Sequence, residues 1–244
     1  MEISLSGKRV LITGAGRGIG RALAIRVVAC GGHAIALSRT QEHLDTLKAE
    51  CPSVETVTCD LSDWEATREA VEALGPVDCL VNNAGAFIFE PFLEARKESL
   101  DTIFNVNFKG AFNVAQVIAR GMVERGKGGV IINMSSELGL RTIQGGAIYC
   151  SSKAALDHLT RVMTLELGPK GIRVNCVNPT LVETDMSRAV WENPDTAEWI
   201  RTRIPMGQFA SLDDVVSATL FLLSDHAAMI SGVALPVDGG ATAR

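Results

Sequence analysis

Short apolar runs alternate with longer amphipathic ones along nearly the whole chain. Lys8 to Thr13 (KRVLIT) reads as a strand buried on both faces, and Gly14 to Gly20 as a glycine-rich turn. From Ile19 to Ala29 the apolar residues recur at helical spacing. His33 to Ser38 is a second strand, Gln41 to Glu50 a polar helix stopped by Pro52, and Val54 to Cys59 a third strand by its alternation. Asp63 to Leu74 predicts a helix and Val77 to Val81 a fourth strand, followed by Asn82-Asn83-Ala84-Gly85. The rhythm then repeats with longer helices. Asn105 to Glu124 is a helix, Gly129 to Met134 a strand, Ala147 to Leu167 a helix and Ile172 to Val177 a strand. Asp213 to Leu223 is a further helix and Val233 to Val237 the last strand. Strand and helix in alternation predict an α/β fold, with a parallel sheet covered on both faces. No stretch rich in Pro, Gly or Ser divides the chain, so residues 1–244 are expected to form one domain. Region 184–212 departs from the rhythm. It is polar, carries Trp191 and Trp199, breaks at Pro194 and Pro205, and reads as an insertion or lid.

Composition narrows the function classes. The 244 residues are 47% hydrophobic and 21% charged, which excludes a disordered scaffold. The net charge is -5 and the basic residues are scattered, so no nucleic-acid or anionic-membrane footprint is expected. No apolar stretch approaches the roughly 18 residues that span a bilayer. Met-Glu-Ile-Ser-Leu at the start carries no basic or apolar leader pattern. Cysteines 30, 51, 59, 79, 150 and 176 form no CxxC pair and read as buried free thiols of a reducing compartment, hence a cytoplasmic protein. Histidines 33, 43, 158 and 226 have no metal-ligand spacing, so no metal is expected.

The first candidate chemistry is Thr13-Gly14-Ala15-Gly16-Arg17-Gly18-Ile19-Gly20, between the first strand and the first helix. Glycines there let the backbone approach a pyrophosphate, and the helix start offers free N–H groups and partial positive charge. The spacing is G-x-x-x-G-x-G through Gly14, Gly18 and Gly20; an ordinary glycine-rich turn is the alternative. The second strand ends Ser38-Arg39, without the acid that holds an NAD ribose about twenty residues on. Arg39, with Arg17 in the loop, suits the 2′-phosphate of NADP(H); a solvated surface arginine is the plain alternative.

The second is Tyr149-Cys150-Ser151-Ser152-Lys153, whose phenol and ammonium fall on one helical face downstream of Ser135-Ser136. Tyr149 is the only tyrosine in the chain. Hydride reduction of a ketone leaves an alkoxide that needs a proton. A phenol's ordinary pKa is near 10, and an adjacent ammonium favours phenolate. Lowering it by about three units takes roughly 4 kcal/mol of differential interaction, which an ammonium in a low-dielectric site can supply together with the charge of a nicotinamide. Ser136 would hold the substrate oxygen. Alone, a Y-x-x-x-K match is common by chance. Cys150, beside the tyrosine, is either a redox-sensitive thiol or a small filler.

Together these motifs resemble the short-chain dehydrogenase/reductase family over essentially the whole length. The matching pieces are T-G-x-x-x-G-x-G at 13–20, Asp60-Leu61, Asn82-Asn83-Ala84-Gly85, Asn107, Ser136, Tyr149-x-x-x-Lys153, Asn178-Pro179 and Asp238-Gly239-Gly240. The resemblance implies a Rossmann-type, doubly wound parallel sheet of seven strands, a nicotinamide cofactor and a homotetramer. It implies catalytic roles for Asn107, Ser136, Tyr149 and Lys153, with Asn107 positioning Lys153 through a water. For the cofactor it implies Gly14, Arg17, Gly18, Ile19, Gly20, Ser38, Arg39, Asp60, Leu61, Asn83, Ala84, Gly85, Tyr149, Lys153, Pro179, Val182 and Thr184. Thr180 stands where most members have Gly.

Within that family the chain is most similar to the animal L-xylulose (dicarbonyl) reductase group, through stretches such as Ser38-Arg39-Thr40-Gln41, Asp63-Trp64-Glu65-Ala66-Thr67 and Asn178-Pro179-Thr180. That group carries an amide after the catalytic serine and an imidazole three residues before the tyrosine; here these are Glu137 and Gly146, while Trp191 is retained. The resemblance implies an NADPH-dependent reductase of sugar carbonyls and small α-dicarbonyls. Its pocket is expected between Ser136, Tyr149 and residues 184–204. Trp191 forms its wall, Glu137 puts a charge on its rim, and Gly146 removes bulk on the opposite side. Another polyol dehydrogenase, a 3-oxoacyl reductase or an inactive nucleotide-binding regulator are the alternatives; the complete Asn107, Ser136, Tyr149, Lys153 set argues against the last. Helices 105–124 and 147–167 carry apolar residues beyond one face, which fits either a subunit interface or the core.

Overall fold

The computed structural model describes residues 3–243, and of Ala189 the backbone alone. Its strands are β1 (Arg9–Thr13), β2 (His33–Ser38), β3 (Glu55–Thr58), β4 (Cys79–Asn82), β5 (Gly129–Met134), β6 (Ile172–Pro179) and β7 (Ala234–Val237). All pairings are parallel, and the order across the sheet is β3-β2-β1-β4-β5-β6-β7. The helices are α1 (Gly18–Ala29), α2 (Gln41–Glu50), α3 (Trp64–Glu72), α4 (Lys97–Phe104), α5 (Ala111–Arg125), α6 (Ala147–Leu167), α7 (Arg188–Trp191), α8 (Pro194–Arg201) and α9 (Leu212–Leu223). None is long and apolar enough to cross a membrane among the described residues.

Apolar runs buried on both faces explain the strands. Val10 and Ile12 of β1 join one core with α1 and α9, while Leu11 between them joins the other, with α5 and α6. Val81 and Leu80 of β4, and Ile132 and Ile131 of β5, divide the same way. Side chains alternate across a strand, so a continuous apolar run serves two cores at once. Each fully buried Leu or Ile stabilises the fold by about 1.5–3 kcal/mol. Because β1 leads outward to β2 and β3, and β4 outward the other way to β7, the chain reverses between β1 and β4. That switch point opens a crevice beyond the carboxyl ends of the strands.

Three expectations are refined. The single helix expected over Asn105 to Glu124 is α5 preceded by a π-helical turn at Asn105–Gly110, itself continuous with α4. The widened turn buries Asn107 and Gly110. The sequence reading passed over α4 because its buried face holds only Ser99 and Ile103. In region 184–212, Pro194 starts a helix: Asn193 caps α8 through Thr196 N (3.0 Å), and a proline at the first helical position forfeits no hydrogen bond. All six cysteines are free; four are buried, while Cys30 and Cys51 are half-buried.

Candidate active site

The residues singled out in the sequence for chemistry lie beyond the carboxyl ends of the strands, on the π turn, at the start of α6, or in the segment after β6. The glycine loop leaves β1 and is held by β4. Thr13 Oγ1 accepts from the backbone N–H of Asn83 and of Ala84, each at 3.1 Å. The Asn83 side-chain amide donates back to Thr13 O (3.0 Å) and Gly14 O (3.3 Å). Gly14 has φ +66°, and a Cβ there would lie 2.7 Å from Ala84 Cα. At Gly20 a Cβ would lie 2.5 Å from Asn83 Nδ2. These glycines are therefore fixed by close backbone approach, and Asn83 is spent on shaping the loop.

The loop delivers an uncapped helix start. Arg17 occupies the cap position of α1 with no side-chain hydrogen bond. The first N–H groups of α1 lack a side-chain partner, as a site for an anion requires. A Cβ at Gly18 (φ +55°) would stand 3.5 Å from Thr184 Cγ2, in the space between loop and β6 exit. Val182 is buried and bridges to Ala210. Beyond β2, Ser38 lies against the loop, 2.9 Å from where a Cβ of Gly16 would be. Arg17 and Arg39 are exposed. Asp60, after β3, spends one oxygen on Ser62 N (3.0 Å) and Ser62 Oγ (2.8 Å) and leaves the other free. The Ser62 backbone N–H, assisted by its hydroxyl and by Arg39, holds the Asp60 carboxyl below the ordinary range.

Asn107 ties the segment after β4 to α6. Its Oδ1 accepts from Ala86 N (2.7 Å), and its Nδ2 donates to Ala86 O (3.0 Å) and Ser152 Oγ (3.1 Å). Lys153, 4% exposed, donates to Met134 O at the end of β5 (2.8 Å), and its ammonium lies 5.7 Å from the centre of the Tyr149 ring. Gly85 sits between the two: a Cβ there would be 3.6 Å from Asn107 Oδ1 and 3.8 Å from Lys153 Nζ. No direct hydrogen bond joins Asn107 to Lys153 among the described residues. Ser136 caps the turn Glu137–Gly139 by accepting from Leu138 N (3.1 Å).

Without a cofactor's charge, burial governs both of these side chains. Burial, opposed by the Ser136 hydroxyl and reinforced by the charge of Glu137, pushes the Tyr149 phenol up to about 12. Burial also pushes Lys153 down to about 8. The phenol is therefore protonated at neutral pH, the state a proton donor needs.

The substrate-side residues also differ from expectation. Glu137 is no open rim charge. It is 5% exposed, Arg141 Nε and Nη2 bind its two oxygens at 2.9 Å each, and Thr180 Oγ1 donates to Oε1 at 2.9 Å. Nor does Gly146 open space, because a Cβ there would meet Ile143 Cγ1 at 2.8 Å and Cys150 Sγ at 2.9 Å. Trp191 is half-buried, its Nε1–H donating to Thr184 O (3.1 Å). The aromatic neighbour of Tyr149 is Phe87, edge-on at 4.8 Å. Phe87 and Arg141 are the site residues that the sequence did not point to. Arg141 was readable, since an acid and an arginine four apart pair on a helical turn; a phenylalanine in a loop gave no signal.

Residues 14–242 match a family profile described as enoyl-(acyl carrier protein) reductase. The chain is 52% identical to L-xylulose reductase of Mesocricetus auratus over 240 residues, 98% of each chain. The chain belongs to the short-chain dehydrogenase/reductase family. It is an oxidoreductase of that family. It is also 48% identical to D-erythrulose reductase of Gallus gallus, covering 98% of this chain and 97% of the other. A crystal structure of a gluconate 5-dehydrogenase from Burkholderia cenocepacia J2315 in complex with NADP and tartrate superposes with a TM-score of 0.95, at 32% identity and over 100% of this chain and 98% of the other.

The loop geometry makes a direct prediction. Gly14→Ala combines a left-handed backbone with overlap on Ala84, and should cost about 2–3 kcal/mol in a denaturant titration. A loss below about 0.5 kcal/mol would mean the loop is not clamped as described.

Proposed function

We propose that this chain is an NADPH-dependent carbonyl reductase acting on neutral ketoses of the L-xylulose type and on small α-dicarbonyls. The observation that carries the reading is the convergence of Ser136, Tyr149 and Lys153 at the crevice beside an uncapped helix start and two exposed guanidiniums. The names of the animal relatives support the ketose class.

The residues present fit such a cofactor. The first N–H groups of α1, at Gly18, Ile19 and Gly20, would hold the pyrophosphate. Arg17, Ser38 and Arg39 would hold the 2′-phosphate, and the free oxygen of Asp60 the adenine amino group, with Leu61 beside it. Ala84, Gly85, Pro179, Val182 and Thr184 would line the way to the nicotinamide, and Lys153 would bind its ribose. When bound, NADPH supplies the hydride. Ser136 holds the carbonyl oxygen, Tyr149 gives that oxygen its proton, and Lys153, kept in place by the Met134 carbonyl, compensates the charge left on the phenol. Asn107 holds the π turn, the Ala86 segment and α6 in register around them. Residues 184–212 act as a lid, with Trp191 on the substrate side. We place the protein in the cytoplasm, as one folded domain that assembles into a homotetramer through α5 and α6.

The primary test is NADPH consumption with L-xylulose, diacetyl, a 2-keto acid and an acetoacetyl thioester. Reduction of the first two supports the reading; reduction of the thioester alone replaces it with a 3-oxoacyl reductase. Tyr149→Phe should lower kcat by about three decades while NADPH still binds, because only the proton donor is lost. Near-normal turnover would remove Tyr149 from the chemistry.

Arg39→Asp should weaken NADPH by roughly 2–4 kcal/mol and leave NADH unchanged or improved, since an attraction becomes a repulsion. Equal use of both cofactors by the wild type would contradict this. Wild type should prefer L-xylulose to a 2-keto acid. Glu137→Gln removes the charge that masks Arg141. The 2-keto acid should then gain about tenfold in kcat/KM relative to L-xylulose, equivalent to about 1.4 kcal/mol. An unchanged ratio would assign the Glu137–Arg141 pair to packing alone.

A further inference from the structure

Asp157, one turn beyond Lys153 on α6, is 4% exposed and forms no ion pair with any described residue. A carboxylate removed from water without a cation on it is costly, so its retention calls for a compensating arrangement. Its partners are the Cys176 thiol and Asn178, whose Nδ2 lies 3.1 Å from both Asp157 oxygens and donates to Ser136 O at 2.9 Å. Both faces that this amide nitrogen meets are acceptors, so the side chain must point its nitrogen at them. The cost is visible at the other end, where Asn178 Oδ1 is buried without a partner. From above, the turn after Ser136 closes over the carboxylate: a Cβ at Gly139 would strike Asp157 Oδ2 and lie 3.1 Å from Ser135 Oγ.

We propose that Asp157 is a positioning residue of the reaction, holding the Ser136 main chain through Asn178 and offsetting the ammonium of Lys153 from one helical turn away. The inference rests on the reductase reading of the site. Asp157 and Lys153 project from the same buried face of α6, so little solvent screens them. Burial depresses Lys153, opposed by Cys176 and then Asp157; because burial also pushes the Cys176 thiol well up, Asp157 is the charge that acts near neutral pH. The titratable groups facing Lys153 are Tyr149 and Asp157 on its own helix and Cys176 from β6. Glu137 bears on Tyr149 from the turn after β5. The π turn offers the uncharged Asn107, β5 the Met134 carbonyl, and α4 buries only Ser99 and Ile103.

The test is Asp157→Asn, which keeps the shape and removes the charge. In isotope-labelled protein, the Lys153 Cε resonance should titrate near pH 8 in the wild type and about one unit lower in the variant. In the holoenzyme, kcat should fall about tenfold with little change in substrate KM, and the alkaline limb of the pH profile should move down with the resonance. An unmoved resonance and limb, with only a lower melting temperature, would overturn the proposal in favour of a packing role. Asn178→Ser separates the two routes and serves if the first variant does not fold. It should lower kcat while leaving the Lys153 titration in place, and a kcat equal to wild type would overturn the bridge to Ser136. Wild-type protein that binds NADPH yet reduces no carbonyl would defeat the reductase reading alone, because the resonance still reports on Asp157.

Discussion

Side-chain amides at the ends of the central strands donate from one element to the next, and the shape of the site follows from how they do. Asn83 closes β4 onto β1 through Thr13. Asn82 donates to Asn133 (3.0 Å), and Asn133 donates to Thr160 of α6 (2.7 Å). Asn178 joins β6 to the Ser136 carbonyl and Asp157. In a low-dielectric core each unmade bond costs about 1–3 kcal/mol, so these contacts fix the relative heights of four strands and α6. A sheet of Val, Ile and Leu alone would pack as well while leaving those heights freer.

On this lattice the site is assembled from separate elements with little adjustment left over. Ser136 comes from the end of β5, Tyr149 and Lys153 from the first turns of α6, and Asn107 from a π turn. A π turn admits one residue more than an α-helical turn, and such turns recur at functional sites. Here it allows Asn107 to grip Ala86 on both its N–H and its C=O while still reaching Ser152. Lys153 is thereby enclosed by groups that each have another structural duty. The same enclosure explains why burial, rather than attraction, governs the proton affinities of both Tyr149 and Lys153.

Much of this was legible in the chain. Apolar runs located most of the strands, because a run such as Val10 to Ile12 has to serve two cores and contains nothing polar, while alternation located β3. The glycine loop was legible because close backbone approach at Gly14 and Gly20 admits no other residue. What escaped depends on tertiary partners. The π turn leaves no periodicity of its own in Asn-Val-Asn-Phe-Lys-Gly. Pro194 looked like a break because its role depends on Asn193 acting as a cap. Glu137 looked like a free charge because Thr180, 43 positions on, becomes its neighbour only after folding. Gly146 looked like vacant space, but Ile143 and Cys150, three and four positions away, fold back onto it.

The solitary tyrosine has a consequence for how the protein can be observed. The phenol-to-phenolate difference absorbance, which tryptophan does not share, and reagents selective for the phenol ring both report on one side chain, set against Phe87. In most proteins of this size such signals average over many surroundings and describe none of them. Here evolution has left a single chromophore of that kind, so its spectrum is a local reading of solvation at one point, available in unmodified protein without labelling.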